Sequence, residues 1–332
     1  MGRRITIYLG TRFLQSLLVL WVIVTILFLL FRLAPGNPLV AYIDPTFTAE
    51  QQDELMSRFG LDQPLPVQYV VYLGNLVQGD FGDSFFQRAP VGEIVMEVLP
   101  NTLYLTLTSL ILAYIIGVIG GIILAWQRGT AAEQAGVTFT LMTRSAPEFW
   151  VGMILLAIFA FRLQWLPSSG ASSAGVIYTS ELDKLTSLDF WQHMILPATT
   201  LALYLHGLPL LLMRSNMLEI MQDDFVTMGR FMGYSEWRLM VRRVARNALL
   251  PVVTAMALGI GYSIGGNVVI ENVFGWPGLG RTLVRAVSAN DYPLAQGAFL
   301  LIAVVMVLMN FFADMLYGLL DPRIGATERS SS

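Results

Sequence analysis

Three ionisable residues, Arg144, Glu148 and His206, fall inside apolar runs long enough to cross a bilayer. Charge in such a run is expensive and invites a functional reading: ion coupling for the acid and base, a proton relay for the histidine. Plainer readings exist for each. Arg144 and Glu148 stand four apart and can pair on one helix face, or the helix starts late and leaves both near the interface. A lone histidine is more often a packed, hydrogen-bonded side chain. Nucleophilic serine chemistry has one seat, Ser263 in a Gly-Tyr-Ser-Ile-Gly-Gly run, with His206 available on another apolar run. Nucleotide hydrolysis has none, because the single lysine, Lys184, precedes Leu185, whereas a phosphate-cradling loop needs Gly-Lys followed by Ser or Thr. Cysteine is absent, which removes disulfides, zinc–thiolate sites and iron–sulfur clusters.

The elements that must position these residues are membrane spans. Of 332 residues, 55% are hydrophobic and 13% charged, about half the charged share of soluble domains. Mean hydropathy is +0.62. Six apolar runs are predicted to span, at 13–31, 103–126, 136–161, 195–213, 248–270 and 292–313. The first follows Arg3, Arg4 and Arg12 and is too long for the apolar core of a cleaved signal, so it reads as a retained helix with a cytoplasmic N-terminus. Segments assigned inside hold twelve basic residues against six outside, and six spans put both termini on the cytoplasmic side. Nucleic acid is excluded as a partner by the scatter of arginines over short loops and an isoelectric point near 5.4.

Between the spans, residues 34–100 carry nine acidic residues and seven prolines and read as an outer excursion, with short helices expected at 48–58 and 67–77. Gly117, Gly120 and Gly121 predict a close helix contact. Pro209 predicts a bend in the fourth span, and the Ser/Gly-rich loop at 168–175 reads as flexible. Asn310, Asp314, Tyr317 and Asp321 share one helix face that needs a partner.

The longest polar stretch deep in the chain, 223–251, holds Arg230, Arg238, Arg242, Arg243 and Arg246 between two spans. It reads as two short helices around a turn at Gly233, Tyr234 and Ser235. The first, 224–232, exposes Phe225, Met228, Phe231 and Met232, side chains suited to a groove in a partner protein. The second, 236–247, has its arginines on nearly one face, suited to lipid phosphates at the membrane surface.

At this point the residues resemble a family. The spacing from Gly233 to Pro251 is similar to the cytoplasmic loop signature of membrane subunits of ATP-binding-cassette importers. The whole chain looks like the first permease of the dipeptide, oligopeptide and nickel group. The matching runs are spread over the chain: RLAPGNP at 32–38, FGLDQPLPVQYVVYLGNLVQGDFGDS at 59–84, HMILPATTLAL at 193–203, RSNMLEIMQDDFV at 214–226, RNALLP at 246–251, ENVFGWPGLGR at 271–281, DYPLAQG at 291–297 and NFFADMLYGLLDPR at 310–323. One departure stands out. The family places small residues ahead of the loop glycine, whereas Met228 and Phe231 are bulky here, after Thr227 and around Gly229 and Arg230.

The resemblance implies an all-α polytopic protein of the type I importer (MetI-like) permease fold, in a bacterial or archaeal plasma membrane. It implies an N-terminal spanning helix over 1–33, an extracytoplasmic segment over 34–100, and a permease domain over 101–325 with its coupling loop at 219–247. Asp224, Phe225, Met228, Gly229, Phe231, Met232, Gly233 and Tyr234 are expected to meet the ATPase. Implied partners are a second similar permease, two ATPase subunits that bind the ATP, an extracytoplasmic solute-binding protein and membrane lipid. No cofactor and no catalytic residue are expected in this chain. Peptides are the expected cargo, with nickel complexes, glutathione, opines and oligosaccharides as alternatives. Tyr262, Ser263 and Asn267 are candidates for lining the path, although packing explains their glycine-rich setting as well. A secondary transporter would need an internal repeat and facing ionisable residues, and no convincing repeat is present.

Overall fold

The computed structural model describes residues 2–33, 62–265 and 267–320. Helix α1 (Gly2–Leu33) is followed by α2 (Leu65–Val77), α3 (Val91–Trp126), α4 (Ala131–Ser145) and α5 (Glu148–Leu155). A π turn, Leu156–Arg162, extends α5. Then come α6 (Glu181–Thr186), α7 (Leu188–Leu205), α8 (Gly207–Ile220), α9 (Asp224–Phe231) and α10 (Glu236–Leu239), which a second π turn (Met240–Val244) joins to α11 (Ala245–Gly265). The chain finishes with α12 (Asn267–Val273), α13 (Leu279–Ser288) and α14 (Tyr292–Leu320). No strand forms among the described residues; a single bridge pairs Asp83 with Pro90.

Among the described residues three helical stretches, Gly10–Leu33, Val91–Trp126 and Tyr292–Met315, are long and apolar enough to cross a membrane, and two bent pairs bring the number to five if each is one span. The bends have local causes. Between α4 and α5 the axis turns by 105° at Ala146 and Pro147. Proline disfavours helical backbone in the residue before it, and Ala146 is accordingly extended. Arg144 and Glu148 therefore lie on opposite sides of a break, and no ion pair joins them. Between α7 and α8 the turn is 45° at His206, three residues before the proline expected to bend this run. The predicted span at 248–270 is occupied by α11 and α12. Tyr262, Ser263 and Asn267 fall on these two helices, and their side chains lie outside the described residues, as do the expected helix at 48–58, Tyr317's side chain and Asp321.

Helix α3 begins twelve residues before the predicted span and runs through Pro100 for 36 residues. At 1.5 Å per residue it is about 54 Å long, well beyond a hydrocarbon core of about 30 Å, so its first turns extend past the membrane. Its glycines make a close contact with α8. A Cβ on Gly117 would fall 2.7 Å from Pro209 Cγ, and one on Gly121 would fall 2.7 Å from the Leu210 carbonyl oxygen. Without those side chains α3 and α8 meet backbone to side chain, the small-residue packing that takes the place of hydrophobic drive in lipid. Outward, Leu14, Leu18, Trp21 and Ile26 of α1 stay exposed, as lipid-facing residues do. Inward, α1 meets α14 through Phe13 and Phe311, whose ring centroids are 6.3 Å apart, and Arg12 reaches Asp314 at 3.5 Å. The polar face of α14 thus finds a partner on α1, while Asn310 is exposed.

The two ends of the bundle have separate apolar cores. At one end Phe190, Trp276, Leu105 and Met194 pack together, and at the other Met213, Met217, Val226, Met240 and Val244. The second of these holds the arginine-bearing stretch. The Ser/Gly-rich loop read as flexible is tied down at the first: Gly170 N–H donates to the Phe274 carbonyl at 3.0 Å, and Ser173 donates through its hydroxyl and its amide to Asp189.

Candidate functional site

Helix α9 starts at Asp223, whose backbone is extended, and Asp224 puts a negative charge in the first turn, where the helix dipole favours it. Eight residues are too few for a helix to hold by itself in water, so packing must supply the stability. Val226 is fully buried, and Gly229 sits so near Leu239 that a Cβ would come within 2.6 Å of its Cδ2. Phe225 is half-buried against the same core, which corrects the expectation that it is exposed beside Met228, Phe231 and Met232. Those three do face outward, Phe231 with 87% of its surface exposed.

The helix ends in a left-handed glycine. Gly233 has φ +79°, its N–H donates to the Arg230 carbonyl at 3.0 Å, and Tyr234 N–H donates to the Gly229 carbonyl at 3.1 Å. This pair of bonds is a Schellman cap, in which glycine avoids the Cβ clash of positive φ. Arg230 pairs across the turn with Glu236 at 2.9 Å, closing α9 onto α10.

The second half is not a separate helix. Leu239, Met240 and Val244 are buried, and the π turn carries the chain directly into α11. Each such aliphatic side chain removed from water contributes roughly 1.5–3 kcal/mol, so the loop's inner face is as firmly held as the bundle. Arg238, Arg242, Arg243 and Arg246 stay exposed on the other side, with the Arg243 guanidinium 4.9 Å from the centre of the Tyr234 ring. Trp237 stacks obliquely on Trp126 at the end of α3, with centroids 5.5 Å apart.

Two further connections bind this unit to the bundle. The carboxylate of Glu133, in the first turn of α4, accepts from Arg214 Nε at 2.9 Å and from the Gly129 amide at 2.5 Å. Thr130 caps the same helix by accepting from Glu133 N–H, and the Glu133 carboxylate, reaching back to the Gly129 amide one residue before the cap, also holds α8. Arg214's hydrogen bond, then the Gly129 amide, hold the Glu133 carboxyl below its usual range. Asn216 Nδ2 donates to the Ala248 carbonyl at 3.3 Å, linking α8 to α11.

His206 is buried, and its Nδ1 lies 2.7 Å from the Leu203 carbonyl, the arrangement of a packed side chain. At the opposite end, a polar clasp escaped sequence reasoning. Thr102 donates to Glu271 at 2.7 Å and accepts from Leu279 N–H at 2.8 Å, while Glu271 also accepts from Arg281 N–H at 3.0 Å. Asn101 donates to the Pro277 carbonyl and receives a hydrogen bond from Lys184, which also lies over the rings of Tyr104 and Phe190. The available signal was the isolated lysine and the acid opening the Gly/Pro-rich run at 271–281. Neither announces a partner more than 80 residues away.

The chain matches the family model described as binding-protein-dependent transport system inner membrane component over residues 117–326, and the corresponding N-terminal model over residues 5–106. It is 38% identical to the oligopeptide transport system permease protein AppB of Bacillus subtilis, over 96% of this chain and 98% of that protein. It is 35% identical to the glutathione transport system permease protein GsiC of Escherichia coli, over 96% and 98%. Among solved structures it resembles a chain of the MetNI methionine ABC transporter in an inward-facing form, with TM-score 0.54 and 15% identity over 69% of this chain and 96% of that one. That likeness concerns the fold. With both family models covering it almost end to end, the chain belongs to the binding-protein-dependent transport system inner membrane components, the multi-pass permease subunits of ABC importers.

Proposed function

We propose that this permease carries peptides, as one of two similar permease subunits assembled with two ATPases on the cytoplasmic side and a solute-binding protein on the other. ATP is bound and hydrolysed by the partners. The stretch at 219–247 is the coupling element: Met228, Phe231 and Met232 enter an ATPase groove, Asp224 and the Gly233 turn fix the helix that presents them, and Phe225, Gly229 and Tyr234 support it from behind. The observation that carries this reading is an exposed Phe/Met face on a short helix whose inner face belongs to the bundle core. A push on Phe231 then moves α8 and α11 together, because no compliant linker separates the loop from either. Rigid displacement of packed helices is the usual form of such transmission. Met228 and Phe231, bulky where the family has small residues, call for a correspondingly open groove in the cognate ATPase.

Peptide cargo is supported by the name of the relative at 38% identity. The experiment for coupling is disulfide crosslinking in the assembled complex: cysteines at Phe231 and Met232 should link to an ATPase cysteine scan, and failure at every ATPase position rejects the reading. For cargo, the solute retained by the cognate binding protein decides; a retained oligopeptide supports the proposal, and glutathione, a nickel complex or a sugar rejects it.

A further inference from the structure

Arg238, Arg242, Arg243 and Arg246 line a concavity of about 880 Å³ with Phe225, Tyr234 and Asn247. No carboxylate lines it, and none of the four arginines is ion-paired among the described residues, whereas neighbouring Arg230 and Arg214 are. In a regular helix Arg238 and Arg243 would point about 140° apart. The wider π turn at Met240–Val244 reduces that separation and draws Arg243 toward the same mouth, where the Tyr234 ring holds it. Such local widening of a helix is frequent at binding sites. Four guanidinium groups around a polar, aromatic-walled hollow suit a phosphate, which each can grip with two parallel N–H bonds.

The depth of the hollow identifies the source. Trp237, next to Arg238, is exposed and lies against the exposed Trp126 at the end of the 36-residue span α3. Tryptophans at the end of a span occupy the headgroup level, and the arginine hollow lies within a turn of this pair. Just past Asn247, α11 continues into the run assigned to the membrane. We infer that the hollow binds the phosphate of an anionic phospholipid headgroup and anchors the second half of the loop to the membrane surface. The inference requires only that the chain be membrane-inserted, and it stands or falls separately from ATPase docking.

The test uses the assembled complex in detergent, offered phosphatidylglycerol and phosphatidylcholine in equal amounts and read by native mass spectrometry. The wild type should retain phosphatidylglycerol preferentially. Each Arg→Gln change at 238, 242, 243 or 246 should lower that retention about fivefold, the equivalent of ~1 kcal/mol for one basic residue at an anionic surface. The double variant R242K/R243K keeps the charge without the fork, should assemble normally, and should fall between wild type and R242Q/R243Q. Should R242Q/R243Q fail to assemble, R242K/R243K against wild type decides. Equal retention of both lipids by the wild type, or retention unaffected by R242K/R243K and the Gln variants that assemble, overturns the site. A soluble source is separated by protection of the arginines from a dicarbonyl reagent: phosphatidylglycerol should protect, and equal protection by millimolar inorganic phosphate overturns the lipid assignment.

Discussion

Arg214, midway along α8, donates to Glu133 in the first turn of α4 across 2.9 Å, so the helix that leads into the 223–251 stretch is held by the first turn of another. Glu133 has a lowered pKa, chiefly through Arg214, and a carboxyl with a depressed folded pKa stabilises the fold above its ordinary value of 4.5 and loses that contribution as pH falls through the folded value. E133Q should therefore lower the melting temperature at pH 7. The difference from wild type should shrink on acidification below pH 4.5. Thermal unfolding of the purified protein in detergent at both pH values checks this, and an undiminished difference at low pH refutes it.

Gly121 admits no side chain, because the Leu210 carbonyl and Met213 Cβ both lie 2.7 Å from where its Cβ would be. G121A should destabilise by about 1–3 kcal/mol and G121L by more, since backbone rather than a flexible side-chain end must move. Midpoints of thermal unfolding for the pair give the ordering, with G10A on the open surface of α1 as the control that meets no clash and should be neutral or slightly stabilising.

Gly233 poses the opposite case. Nothing lies within 4 Å of its missing Cβ, so a substitution meets only the cost of positive φ. G233A should cost about 1–2 kcal/mol, localised to α9. Hydrogen exchange should show faster opening of 224–232 with the rest of the bundle unchanged. G233N, better tolerated in the left-handed region, should recover part of the protection.

Phe231 separates docking from folding. It is 87% exposed, so F231S should leave stability within about 0.5 kcal/mol of wild type. Association with the ATPase subunits and solute-stimulated ATP hydrolysis by the complex should both fall at least tenfold. A destabilised F231S variant, or one with unchanged coupling, contradicts the assignment.

Asp291 is buried at the other end of the bundle and accepts from Ser84 Oγ at 2.6 Å, from the Phe85 and Phe86 amides at 3.1 and 3.0 Å, and from Leu294 N–H at 3.2 Å. D291A leaves these donors without their acceptor, at about 1–3 kcal/mol for each one that water does not reach. Limited proteolysis should then cut the 79–90 segment, which the wild type protects.

The membrane-spanning character was legible because lipid imposes a coarse rule, about 20 apolar residues per crossing, while the six expected runs correspond to three spanning helices, or five with the bent pairs, among the described residues. The loop at 223–251 was legible for the same reason, as polarity where lipid forbids it. Its two halves were read less well. Phe225 looks as exposed as Met228 and Phe231 in a list of apolar residues, and only packing against the apolar core that holds Val226 turns it inward. The arginines looked like one helix face, yet a π turn, which has no simple sequence signature, gathers Arg243 with Arg238.

By itself the sequence determined the membrane class, the absence of thiol and P-loop chemistry, the glycine contact of α3, the bend at Pro209's run and the place of the long polar stretch between apolar runs. These follow from composition and from local rules acting within a few residues. The tertiary structure decided what depends on neighbours far along the chain: that Glu133 holds Arg214, that Thr102 and Asn101 clasp the 271–281 run, and that α9's inner face belongs to the bundle core. A carboxylate or a phenyl ring carries no mark of its eventual partner, since hydrogen bonding and burial reward whichever group the fold brings within about 3 Å or removes from water.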